Sequence, residues 1–162
     1  MASPAAPGDA AVRAALEAPV PPNGVPVLAT ADYLDLPPEG PQAIVQVRVD
    51  VAGLRWQQQL DGRHTTDVEV LCGVYDAHGD PVGLPFGRSF ALDLGAAEFR
   101  RAAEEGLRYA HRLSLNPGRY EVRIVAREPA LAPLGGTSQW LEVPDLGTRK
   151  LTLSSLFVSA TT

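Results

Sequence analysis

Lysine is almost missing from this chain: Lys150 is the only one, and every other basic residue is arginine. With 14 basic against 19 acidic residues, the formal net charge is −5. A nucleic-acid surface needs clustered cations to displace counterions, so this balance argues against one. Cysteine is equally scarce. Cys72 stands alone, which excludes an intramolecular disulfide but leaves the compartment open. No apolar run reaches the roughly 18 residues a membrane-spanning helix needs. The opening Met1-Ala2-Ser3-Pro4-Ala5-Ala6-Pro7 has neither a basic nor an apolar stretch, so it does not read as a signal peptide. An export signal would have to lie upstream.

Spaced chemistry is missing too. The three histidines, His64, His78 and His111, stand apart. None has a partner at metal-ligand spacing such as His-x-x-x-His or Cys-x-x-Cys. Asp76-Ala77-His78-Gly79-Asp80 superficially resembles a calcium loop. Counting from Asp76, however, Pro81 falls where the glycine should be and Gly87 where the terminal glutamate should be. A turn with Gly79 at positive φ is the simpler reading. No nucleophile elbow is present, and Gly135-Gly136-Thr137 lacks the lysine of a phosphate loop. Cys72 lies between Val70 and Val74 on an apolar face, which predicts an inert buried thiol. The chain therefore reads as non-catalytic, with no catalytic, cofactor or metal residues to assign.

What it has in quantity is turn formers and short alternating segments. Fifteen Gly and 15 Pro punctuate 162 residues, and 45% hydrophobic content is enough to fill a core. Residues 1–24 read as a tail. Asp9 is placed to cap a short helix through Ala10 to Glu17, with Val12, Ala15 and Leu16 on one stripe, and Pro19, Pro21 and Pro22 follow it. From Val25 the period becomes two. Strands are predicted at Val25–Tyr33, Ile44–Val51, Val68–Val74, Phe86–Leu94, Tyr109–Leu115, Tyr120–Ala126, Thr137–Val143 and Leu151–Val158. Trp56 to Leu60 leads into the hairpin signal Asp61-Gly62. Ala96–Leu107 is helical in composition, with Phe99, Ala103 and Gly106 roughly on one stripe. About eight short strands, one helix insertion and no alternating βα units predict one all-β sandwich over 25–159, of the immunoglobulin or fibronectin type III-like kind.

Leu115-Asn116-Pro117-Gly118-Arg119-Tyr120-Glu121-Val122-Arg123 resembles the Leu-x-Pro-Gly-x-Tyr-x-Val-Arg turn-strand of fibronectin-like and bacterial immunoglobulin-like domains. Pro117 and Gly118 make the turn, and Tyr120 enters the core with its hydroxyl free to tie the nearby backbone, as in a tyrosine corner. Val74 to Gly79, Leu141 to Leu146 and Leu151 to Leu156 extend the likeness. In that order the motifs resemble the C-terminal β-sandwich region of bacterial, acidobacterial-type VWFA-related proteins, over roughly Ala14 to Val158. The resemblance implies an exported protein in which this region accompanies a von Willebrand A domain. The Asp-x-Ser-x-Ser metal loop of such A domains is missing from this chain, so no metal site is carried over.

Trp56 and Trp140 are the candidate binding residues. Leu141 and Val143 share a face, so Trp140 and Glu142 share the other. An outward Trp on a sheet serves as an interface anchor or a sugar platform; because a long tail is available to cover it, packing of Trp140 beneath the tail or the helix is the favoured reading. Trp56 is followed by three glutamines, a setting that suits an exposed hairpin. The helix charges Glu98, Arg100, Arg101, Glu104 and Glu105 read as a solvated face, with a recognition helix as the alternative. The expected function is a passive interaction or structural module whose partner is another protein or a neighbouring domain. A carbohydrate- or ligand-binding module using the tryptophans, with a glycan as partner, is the second reading.

Overall fold

A computed structural model describes residues 10–36, 38–129, 134–148 and 151–156. Its elements run α1 (Ala10–Glu17), β1 (Val27–Leu36), β2 (Gly40–Val49), β3 (Gln57–Gln58), β4 (His64–Asp76), β5 (Phe86–Leu94), α2 (Ala96–Glu105), β6 (Leu107–Leu113), β7 (Gly118–Arg127) and β8 (Leu134–Val143). A 3-10 turn at Leu146–Thr148 follows.

Two antiparallel sheets form because the apolar residues recur at period two, so each strand has one face to bury. The first sheet has the order β1-β2-β6. The second has the order β3-β4-β7-β8, with β5 paired to β4. Val45, Val47 and Val49 of β2 face Val68, Val70, Cys72 and Val74 of β4 and Val122, Ile124 and Ala126 of β7 in one buried cluster. The chain is therefore an all-β sandwich with a short helix inserted between β5 and β6. On one side the sandwich is closed by rings. Phe86 of β5 stacks on His111 of β6 at 4.2 Å, and Phe90 meets Tyr109 edge-on at 6.1 Å. On the other side β1 lies close alongside β8 without pairing to it.

The predicted turns are present. Gly62 and Gly79 adopt φ of 82° and 87°, the left-handed region glycine enters without a Cβ clash. The Tyr120 hydroxyl donates to the Asn116 carbonyl at 2.8 Å across the Pro117-Gly118 turn. Asp76 accepts the backbone N–H groups of His78 and Asp80 at 2.8 and 3.0 Å. Those bonds hold its acid below the usual carboxylate range; it caps its own turn.

Three expectations need correction. Leu151–Leu156 forms no strand: its Ser155 N–H donates to the Tyr33 carbonyl and its hydroxyl accepts from the Tyr33 N–H, each at 3.0 Å, while Leu151, Leu153 and Leu156 stay exposed. Residues 157 and 158 of that predicted strand, and the predicted Asp9 cap, lie outside the described residues. Helix α2 stops at Glu105 because Gly106 turns out at φ 75°. Gly106 thus ends the helix instead of extending its stripe, and Ala102, not Ala103, reaches the core. Between Trp56 and Leu60 only Gln57–Gln58 pairs with β4.

Candidate functional site

Odd-numbered residues of β4 and β7 and even-numbered residues of β8 form the outer face of the five-stranded sheet, and this face is divided. At one end α1 covers it. Val12, Ala15 and Leu16 pack on Leu71 and Val125, as their helical stripe predicts. Arg123 ties the helix down by donating to the Leu16 carbonyl at 3.2 Å.

The other end is open. Trp140 sits opposite Glu121 and is 52% exposed; α1 lies over Leu71 and Val125 instead. The Arg119 guanidinium stands over its ring, 4.5 Å from the centroid. Arg123 bridges to Glu121 at 2.8 Å and lies 4.2 Å above the Tyr75 ring. Burial pushes the Tyr75 hydroxyl above its ordinary pKa. The result is a row of rings and guanidinium groups held on rigid strands, with one half-exposed indole at its edge.

Trp56 has a different place. Its indole N–H donates to the Val51 carbonyl at 2.9 Å, and its ring meets Phe99 of α2 edge-on at 5.0 Å. Phe99 in turn stacks on His64 at 4.2 Å. Trp56 is half-buried against the core, and its one donor is already used. It therefore pins α2 to the hairpin. The α2 charges face solvent, and no exposed large apolar residue lies on that helix.

The remaining chemical candidates stay apart. His64 and His111 are each stacked on a phenylalanine, and His78 is exposed in its turn. Burial holds His111 below the usual imidazole value. Cys72 is fully buried, and burial pushes its thiol up to about 12. Among the described residues no three His, Cys, Asp or Glu side chains gather into a metal-binding group, and no helix is long and apolar enough to cross a membrane.

Two concavities escaped the sequence reading. An open groove of about 510 Å³ crosses the outer face of the three-stranded sheet, where Arg48 and Arg108 lie directly opposite each other across β2 and β6. A smaller cavity of about 320 Å³ opens at one end of the sandwich, lined in part by Asp50, Arg55 and Glu128. Nothing local in the sequence marks either one, because each joins residues roughly 60 or more positions apart.

No family model and no curated protein matches the chain. Among solved structures it is similar to Northeast Structural Genomics Consortium target SoR45, at 7% identity and a TM-score of 0.33, over 86% of this chain and 100% of that one. At that level the likeness carries no argument about fold or function.

Proposed function

We propose that this chain is a non-catalytic interaction module that presents Trp140 to a protein partner. The observation that carries the reading is the half-exposed indole, braced by Arg119 on a sheet whose inner face is fully packed. Tryptophan and arginine are the residues that dominate protein interfaces, and a preorganised anchor loses little entropy on binding. The strand order β1-β2-β6 against β5-β4-β7-β8, with the Tyr120 corner, supports a fibronectin type III-like class of sandwich. The proposed setting follows the sequence resemblance: a larger exported bacterial protein of the VWFA-related kind, in which a neighbouring A domain is one natural partner. Carbohydrate binding is the weaker reading because Arg119 already covers one face of the ring a sugar would stack on.

Sedimentation of the wild type and Trp140→Ala, alone and mixed with the neighbouring domain, tests the proposal. Loss of a central Trp anchor weakens association by about 2 kcal/mol or more, roughly thirtyfold. Identical association of both proteins would remove Trp140 as the anchor. A Trp fluorescence response to a glycan, lost in Trp140→Ala, would replace the protein partner with a sugar.

A further inference from the structure

Glu128 follows the last residue of β7 and is 5% exposed, the one charged side chain buried to that degree among the described residues. A carboxylate sealed from water needs donors on both oxygens or a cationic partner. Glu128 has a single donor. Its Oε2 accepts the Arg55 backbone N–H at 3.1 Å, and Oε1, without a hydrogen bond or ion pair, still reaches solvent. The preceding Arg127 does not help, since it bridges to Glu69 at 2.7 Å.

The half-satisfied acid lines the cavity of about 320 Å³ at this end of the sandwich. Asp50 lines it too. Its Oδ1 accepts the Ala52 N–H at 2.9 Å, which fixes the carboxylate and leaves Oδ2 without a partner. The walls are rigid. The Asp50 N–H donates to the Pro26 carbonyl at 3.0 Å, and Val25 and Leu54 are core residues. The cavity is therefore a pocket of small-ligand size whose lining holds two acids with an unbonded oxygen each against one cation, Arg55.

We infer that this cavity binds a small organic ammonium group, with Glu128 as the buried acceptor and Asp50 as the outer one. Two carboxylates are too few for an all-protein calcium site, which takes six to eight oxygen ligands; an ammonium needs only two or three acceptors. The cationic head would make charge-assisted bonds to Glu128, and its short apolar body would lie against Val25 and Leu54. A free amine and a lysine side chain share this chemistry. The site is separate from Trp140, on the outer sheet face, and does not depend on the role proposed there.

The Arg55 amide is a built-in reporter because its N–H is bonded to Glu128. Its NMR shift should move saturably when the intact chain is titrated with n-propylammonium chloride and stay still with sodium propionate or potassium chloride. A titration with acetyl-Gly-Lys-Gly-amide separates the sources: tighter binding of this peptide identifies a lysine side chain, tighter binding of propylammonium a free amine. Glu128→Gln keeps an acceptor for Arg55 and should weaken ammonium binding roughly tenfold or more, the loss of one charge-assisted bond. The same variant should melt no lower than wild type, because it removes a charge from a largely buried side chain and keeps the bond to Arg55. Absence of a saturable Arg55 shift, an equal response to propionate, undiminished binding by Glu128→Gln, or a response to calcium chloride at lower concentration than to propylammonium would each overturn the inference.

Discussion

Cys72 should make the protein fail in alkali, and the size of the effect follows from its position. The side chain lies in the core between Phe86 of β5 and Ile124 of β7, its register partners on either side. Desolvation pushes its thiol from 9.0 to about 12. The folded state therefore keeps the proton that the unfolded chain releases near pH 9. A folded-state pKa raised in this way gives stability that is complete below the unfolded value and lost as pH rises toward the folded one. The loss approaches about 1.4 kcal/mol per pH unit, so by pH 10.5 it reaches about 2 kcal/mol.

Urea denaturation of the wild type and Cys72→Ala at several pH values between 7 and 10.5 measures this. The alanine leaves a small cavity worth about 1 kcal/mol at every pH, so the two stabilities should be offset at pH 7 and cross in alkali. With an m-value near 2 kcal/mol/M, about 1 M of the wild-type urea midpoint disappears relative to the variant. Tyr75 and Tyr109 are also raised by burial; both proteins carry them, so that part cancels, and the smaller part of the Tyr109 shift that comes from the Cys72 charge belongs to the difference being measured. Parallel curves from pH 7 to 10.5 would refute the reasoning, since they would mean that the core hydrates the thiolate.

Tyr120→Phe removes the 2.8 Å bond to Asn116 and nothing else; calorimetry should show a loss of about 0.5–1.5 kcal/mol, a few degrees in Tm. His111 is lowered by burial beside Phe86, so the unfolded chain takes up its proton first and stability falls as pH drops below about 6.5. His111→Phe should flatten that acid limb in thermal melts between pH 7.5 and 5, and an unchanged slope would count against the burial of the imidazole.

Strand parity was legible because it is local. Val45, Val47 and Val49 alternate with Gln46 and Arg48, and the structure buries the valines and exposes the polar pair. The Tyr120 corner was legible for the same reason, since its bond spans only Asn116 to Tyr120. Trp56 was not. The three glutamines after it suggest exposure, but Phe99, brought back by the β5–α2 connection, packs against its ring. Leu151–Leu156 carries apolar residues yet pairs with nothing as a strand. Alternation specifies a face to bury, whereas a ladder also needs repeated backbone bonds, and this segment meets the edge of β1 only through Ser155, whose hydroxyl takes the Tyr33 N–H in place of a backbone carbonyl.

The same distinction explains why the functional surfaces were the hardest part to read. Parity places Arg48 on the outer face of β2 and Arg108 on the outer face of β6, but only the register sets them directly opposite each other. Arg48 then donates to the Glu104 carbonyl at the end of α2 at 2.8 Å, a contact that depends on the Gly106 turn into β6. Glu128 is the extreme case. In sequence it is one charge beside Pro129 in a loop, an ordinary solvated position. It is buried because the β2–β3 loop carries the Arg55 N–H across 73 positions to meet it. Where two distant loops close over a carboxylate and leave one oxygen facing a cavity, the site is visible only in three dimensions, and a ligand that bound there would add to stability.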